Sequence, residues 1–427
     1  MKKIIKSILL FAIMLTAFAG TAQEVRTLLT GELINLPYQT LALMKATENF
    51  DHGERVIINL VDGKFEHKLV ADVLEVYVLF FEEQLARGSL QTFYFVPDSE
   101  RIYFSLYPSE DFEKTEIRGS EATNEINAMY NKYREKFQPL FEPIFEIQGR
   151  LIESGEFFSE QYKKYQDAYQ KAMEEENYEK AVYYTSRRVQ LMESGDYVSE
   201  KGRVIVDEID SVSALQMQWE LDYLAESLSL YSYLRLIQLT QGIDHHKSLT
   251  IENLNNLAEK FYNKYPDHPY TRLSKSMLEA LKRIQVGNKF IDFSLPDLKG
   301  NMHQLSEVIE GKYAVIDLWA SWCGPCIMGS RELIPVYEEF KDKGFTIFGV
   351  AREFRNTDEM VRRIEMEGFS WLNLVELDDR NNIWLQYGVA GGGRKLLVDD
   401  KGIILAIDPQ PQVLREILME RLSEKRE

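Results

Sequence analysis

Cysteine is nearly absent: two occur in 427 residues, which excludes a fold stapled by several disulfides. Histidine is scarce too, six in all, and none stands within the cysteine motif, so a tetrahedral zinc site built there lacks its other ligands. Positive charge falls short of negative, with 50 Lys and Arg against 68 Asp and Glu. The formal charge of −18 repels polyanions and argues against nucleic acid or anionic lipid as a partner. The apolar run Ile8 to Phe18 is too short to span a hydrocarbon core comfortably, which takes about 20 residues. It follows Lys2, Lys3 and Lys6 and precedes the small residues Gly20-Thr21-Ala22, so residues 1–22 are expected to be an export signal cleaved near Ala22-Gln23, with an uncleaved anchor as the alternative. No cysteine lies near that point, which excludes lipoprotein-type acylation.

What is present is a composition 45% hydrophobic and 28% charged, enough for several folded cores in a chain of this length. Residues 23–120 carry short β-branched and aromatic runs, among them Val56-Ile-Ile-Asn-Leu, Val73 to Phe81, Thr92-Phe-Tyr-Phe-Val and Arg101 to Leu106, with Asp62-Gly63 as a hairpin turn. A small all-β domain, an antiparallel sandwich, is expected there. Residues 121–285 change to charged and aromatic stretches at helical spacing, and Ala168 to Glu193 reads as one helix-turn-helix unit. This predicts an α-helical connector through which the chain could oligomerise. From 286 to 427, strand candidates (Phe290–Leu295, Tyr313–Trp319, Phe345–Ala351, Lys395–Val398, Ile403–Ile407) alternate with helix candidates (Pro325–Lys343, Thr357–Glu367, Arg380–Tyr387, Gln412–Ser423). Such alternation predicts an α/β domain, a mixed sheet flanked by helices.

Both cysteines sit where the strand ending at Trp319 gives way to a helix, as Cys323-Gly324-Pro325-Cys326. A thiolate, not a thiol, attacks a disulfide, and a helix N-terminus stabilises that anion through unpaired amides and the positive end of its dipole. Pro325 suits the first turn, where no helical hydrogen bond is lost. Cys323 is expected to be the exposed attacking sulfur, and Cys326, about one turn on, the shielded resolving one. Resolution needs a base. Asp317 interrupts the apolar run Ala314 to Trp319 and is the candidate, since a carboxylate buried in a central strand without a role is costly; a strand-end Asp facing solvent is the bland alternative.

The segment Val315-Ile-Asp-Leu-Trp-Ala-Ser-Trp-Cys-Gly-Pro-Cys resembles the active-site segment of the thioredoxin superfamily. Together with Gly287, Phe290 to Gly300 and Leu305-Ser306 it is similar to exported TlpA/ResA-type thioredoxins, while Ile117-Arg-Gly-Ser120 and the strands before it resemble the DUF4369-type β-domain of envelope proteins. The resemblance implies a thioredoxin-like C-terminal domain that exchanges disulfides with envelope proteins, more readily as a reductase. It also implies electrons from a membrane reductase of the DsbD or CcdA kind and no cofactor beyond the cysteine pair. Trp322, Gly324, Pro325, Gly392, Gly393 and Arg394 would line the substrate-docking surface.

Departures from the family pattern are specific. Its cis-proline falls on Gly393 within Ala390-Gly-Gly-Gly-Arg394, where a looser docking loop is expected; a phosphate-cradling reading of the glycines lacks the lysine or helix start it would need. The acidic residue three positions after the second cysteine falls on Gly329, and a helix proline falls on Arg331, with Pro335 beyond it. Haem attachment would want a histidine where Ile327 stands. A thiol peroxidase of the AhpC/TSA type shares the fold but places threonine where Ala320 stands, and a non-catalytic envelope adaptor is the remaining alternative. His245-His246 and the charge run Arg421 to Glu427 read as solvated.

Overall fold

The computed structural model describes residues 24–50, 52–85, 90–243, 246–389 and 392–424. The export signal expected at 1–22, together with His245 and Gly391, lies outside the described residues. The chain divides into two compact units: residues up to 116 together with those from 228 onward, and residues 117–227. The division falls inside the helical stretch 121–285, so its last helices belong with the β-layers.

The first unit opens with β1 (Val25–Leu33), β2 (Thr40–Lys45), β3 (Val56–Asn59), β4 (Lys64–Ala71), β5 (Tyr77–Phe81), β6 (Thr92–Phe95) and β7 (Arg101–Leu106). One sheet sets β4, β1 and β7 side by side, and the other runs β3-β2-β5-β6. Phe95 of one meets Phe104 of the other with ring centroids 5.2 Å apart, so the two sheets share a core. All five residues of β5 are buried, which explains its unbroken apolar run. The wholly antiparallel sandwich is corrected at one pair: β1 and β7 run parallel. They are distant in sequence, and no hairpin dictates their relative direction. Asp62 and Gly63 both have positive φ, 50° and 70°, and close a bridge between Val61 and Lys64 as a two-residue turn should, yet β3 and β4 then part into different sheets.

β8 (Glu116–Arg118) leads along the chain into the second unit. There Ser120 caps the 33-residue helix Glu121–Glu153 by accepting from the Thr123 amide at 2.9 Å. Helices Glu160–Glu174 and Tyr178–Ser194 pack on one another around the turn at Glu176, and Glu200–Ser227 packs on the first helix. Ile144, Phe157, Val198 and Ile205 form a small core of this unit.

Helices Leu230–Gln241, Ile251–Lys264 and Pro269–Arg283 rejoin the first unit. The last of them grips both neighbours. Tyr270, 1% exposed, accepts through its hydroxyl from the Val76 amide at 3.0 Å, and His268 Nε2 lies 2.9 Å from the Leu74 carbonyl. The same helix packs on the short helix Ile383–Gln386 of the C-terminal domain.

That domain contains β9 (Ser294–Pro296), β10 (Met302–Gln304), β11 (Tyr313–Trp319), β12 (Phe345–Glu353), β13 (Leu372–Leu377), β14 (Arg394–Val398) and β15 (Ile404–Ile407). Five of these form the sheet β13-β12-β11-β14-β15, parallel among β13, β12 and β11 and antiparallel from β11 through β14 to β15. The α/β reading therefore holds. Every residue of β11 is buried, as befits a strand paired on both edges and covered on both faces. Phe290 to Leu295 yields only the short hairpin strand β9, and β13, which sequence pattern did not supply, fills one edge. Among the described residues no helix is long and apolar enough to cross a membrane.

Candidate active site

The helix Gly324–Phe340 begins at the C-terminal end of β11, with Cys323 as its N-cap. Cys326, Ile327, Ser330, Leu333, Val336 and Phe340 recur at helical spacing and are buried, which fixes the helix on the sheet and aims its first turn at the strand ends. Pro325 occupies the first turn. The Sγ of Cys323 accepts from the Cys326 amide at 3.3 Å, and the two cysteines form a disulfide across a Cα separation of 5.2 Å. On the other side, the Gly393 amide donates to the Sγ of Cys326 at 3.1 Å. Both sulfurs thus face backbone N–H groups, the arrangement that stabilises negative charge once the bond is reduced.

Cys323 is 8% exposed and Cys326 4%. The order is the expected one, but the open attacking sulfur is corrected to a nearly covered one, bonded to Cys326 and accepting from the Cys326 amide. Gly324, Pro325, Met328 and Gly392 supply the exposed surface around the disulfide.

Asp317 is fully buried on β11. Its Oδ2 lies 2.6 Å from the Ser330 hydroxyl, which is 3.0 Å from the Cys326 carbonyl, so one serine connects the carboxylate to the resolving cysteine's turn. Its Oδ1 lies 3.5 Å from Lys395 Nζ. A Cβ at Gly329 would stand 2.8 Å from that Nζ, so glycine at this departure from the family pattern gives the lysine its room. Arg331, the other departure, makes a two-pronged ion pair with Glu367 at 2.7 and 2.9 Å.

At Gly393 a Cβ would lie 2.2 Å from the Leu318 carbonyl oxygen and 2.8 Å from Cys326 Sγ. Glycine is therefore required by close approach, and among the described residues no peptide is cis. Arg394 lies 3.6 Å from Asp408. Trp322 donates its indole N–H to the Arg352 carbonyl at 3.0 Å. The loop before Cys323 is tied down by Glu353, which accepts from the Ser321 amide at 2.9 Å and hydroxyl at 2.6 Å; burial pushes that carboxyl above the ordinary range.

Sequence pattern did not reveal Ser330, Lys395 or Glu353, nor a residue from the N-terminal β-domain: His52 stacks on Phe354 at 4.4 Å and packs on Trp322 at 4.6 Å. A small hydroxyl on the buried face of the active-site helix was a visible signal for Ser330. None marks His52, which arrives from a loop far upstream.

Residues 286–407 match the AhpC/TSA family model. The chain is 29% identical over 119 residues to a thiol:disulfide interchange protein DsbE of Pseudomonas fluorescens, a match covering 28% of this chain and 64% of that protein. It is 26% identical over 147 residues to the thiol-disulfide oxidoreductase ResA of Bacillus anthracis, covering 34% and 77%. The solved thioredoxin domain of a thiol-disulfide oxidoreductase from Bacteroides vulgatus shares 30% identity over 32% of this chain and 98% of that one, with a TM-score of 0.30. Over this C-terminal domain the chain is similar to thiol-disulfide oxidoreductases of the TlpA/ResA-like thioredoxin family. As in that family's motif, the cysteine pair stands at the start of the active-site helix. Among the described residues no cluster of His, Cys, Asp and Glu could hold a metal ion.

Proposed function

We propose that this chain is an exported thiol-disulfide oxidoreductase of the cell envelope that reduces disulfides of partner proteins through Cys323 and Cys326. The observation that carries the reading is the pair of backbone amides, from Cys326 and Gly393, directed at the two sulfurs. In the reduced protein the Cys323 thiolate attacks a partner disulfide, a mixed disulfide forms, and one partner sulfur leaves as a thiolate. The Cys326 thiolate then attacks Cys323 Sγ, the mixed disulfide breaks, and the second partner thiolate departs with the electron pair.

Asp317, coupled to this turn through Ser330, takes the proton from Cys326. Trp322, Gly324, Pro325, Gly392, Gly393 and Arg394 form the docking surface. The cysteine pair is the whole redox equipment, and a membrane thiol reductase of the DsbD or CcdA kind returns it to the dithiol. The N-terminal sheets form a DUF4369-type domain.

A Cys326→Ala variant should retain partners as mixed disulfides on Cys323, and their complete absence would sink the exchange reading. The midpoint potential of the pair should lie near the roughly −270 mV of thioredoxin; a value near the −120 mV of DsbA would reverse the direction. The AhpC/TSA family match favours a second reading as a thiol peroxidase. Ala320 offers no hydroxyl at the position where such enzymes carry threonine, and a stopped-flow peroxide reaction should therefore be slow.

A further inference from the structure

At the end of the sheet that carries the cysteine pair lies a cleft of about 790 Å³, lined by neither cysteine but reaching Gly392 in the loop that contacts Cys326. Its floor comes from loops at the C-terminal ends of β12 and β13, including Arg352, Phe354, Asp379 and Asn382, the edge where ligands of parallel sheets usually bind. Gly392 lines it, and the next residue's amide touches Cys326 Sγ at 3.1 Å. The roof is foreign to the redox domain. It consists of the β2–β3 loop of the N-terminal domain, with Ala46 to Phe50, His52 and Gly53, and of helix residues such as Gln238, Leu273 and Met277.

His52 joins the two sides. Its ring lies on Phe354 with planes 13° apart and against Trp322, the neighbour of Cys323 in sequence. Tyr270 and His268, at the start of the helix that also supplies Leu273 and Met277, bond the backbone of Val76 and Leu74 in the same β-domain. The lining chemistry is that of a backbone binder. Arg352 and Asp379 neutralise one another, with Nε to Oδ1 at 2.6 Å, and burial raises the Glu48 carboxyl above its ordinary range against the opposing pull of Lys45. Thr47, Gln238 and Gln241 add uncharged polar groups to a lining that also holds Phe50, Leu273 and Phe354. This volume falls within the roughly 300–1,000 Å³ of clefts that hold ligands, and a folded domain does not enter it.

We infer that the cleft receives an extended, disulfide-bearing peptide segment, so that the N-terminal β-domain, through His52, selects which disulfides reach Cys323. The inference rests on the oxidoreductase reading above. It assigns to the β-domain a share of the substrate site and makes unfolded or loop-borne disulfides the preferred substrates over those on a compact protein surface.

The test uses the full chain, reduced with dithiothreitol and freed of it, mixed in single turnover with an oxidised nonapeptide closed by one disulfide or with native insulin. Tryptophan fluorescence follows the transfer. The peptide should half-saturate the rate at a concentration at least tenfold below that for insulin. His52→Ala, which removes the aromatic wall, and Leu273→Trp, which adds bulk on the helical side, should each raise the peptide's half-saturation fivefold or more with the limiting rate within twofold. His52→Phe should restore it. Peptide half-saturation within twofold of the parent in both His52→Ala and Leu273→Trp, or equal half-saturation for peptide and insulin, would overturn the inference. Failure of the parent to reduce either disulfide would instead overturn the oxidoreductase reading itself.

Discussion

Lys395 on β14 stands directly opposite Asp317 on β11, with its Nζ 3.5 Å from the carboxylate Oδ1, and Gly329 on the active-site helix leaves the space it occupies. Three elements thus meet at one buried carboxylate: the central strand supplies it, the antiparallel neighbour supplies its cation, and the helix supplies Ser330 and the gap. This relates two features that look independent in the sequence. A glycine replaces an acidic residue on the helix, and a lysine follows the glycine loop two positions after Gly393.

Removing the cation alone strands a buried charge. Lys395→Met should lower stability of the oxidised protein by about 3 kcal/mol, the lower end of what breaking a buried pair costs, because the lysine keeps some solvent contact. Adding Asp317→Asn should recover part of that loss. Urea unfolding of both single variants and the double variant gives the coupling, and strictly additive effects would show that the pair does not interact.

Gly393 is constrained by contact. A Cβ there meets the Leu318 carbonyl oxygen and Cys326 Sγ well inside van der Waals range, so Gly393→Ala should cost about 1–3 kcal/mol as an overpacked site and displace the amide from the sulfur. Melting of the oxidised form checks the first effect, and a slower release of mixed disulfide checks the second. A variant as stable and as fast as the parent would mean that the loop yields freely.

Much of the C-terminal site was legible because its signals are local. An apolar strand, a CXXC at a helix start and a proline in the first turn are neighbours in sequence, and together they place Cys323, Cys326 and Asp317. What escaped depends on pairing across the fold. The strand β13 escaped because polar Asn373 and Glu376 interrupt its pattern, although Asn373 accepts from the Trp319 indole at 3.0 Å and Glu376 from the Asn381 amide at 2.7 Å. Lys395 acquires its role only through the β11–β14 register, and His52 only through the docking of a loop on Trp322. The parallel β1–β7 pair was hidden for the same reason, since no turn between them records their direction.

The helix Pro269–Arg283 should behave as a clamp. Tyr270→Phe leaves the buried Val76 amide without an acceptor, a loss of about 1–3 kcal/mol. If the clamp also holds the β-domain in place, limited proteolysis should cut the β2–β3 loop faster in this variant. Unchanged cleavage with lowered stability would confine the tyrosine's role to packing.

Glu353 offers a pH test with a definite sign. Its carboxyl is buried beneath the Ser321 loop, and desolvation raises its pKa above the ordinary 4.5 despite two hydrogen bonds from Ser321. A raised carboxyl means that the folded state binds the proton more tightly than the unfolded chain, so this group's contribution to stability falls as pH climbs from the unfolded value through the folded one. Glu353→Gln keeps an acceptor for the Ser321 amide and a donor for its hydroxyl while removing the ionisation. The variant should therefore gain stability relative to the parent at neutral pH, and the gain should vanish as pH falls below about 4.5, where both side chains are neutral. Melting midpoints of the two proteins across pH 3 to 8 decide the matter. A difference that does not change with pH would mean that the carboxylate is as well accommodated charged as neutral, and that Glu353 holds the loop before Cys323 by hydrogen bonds alone.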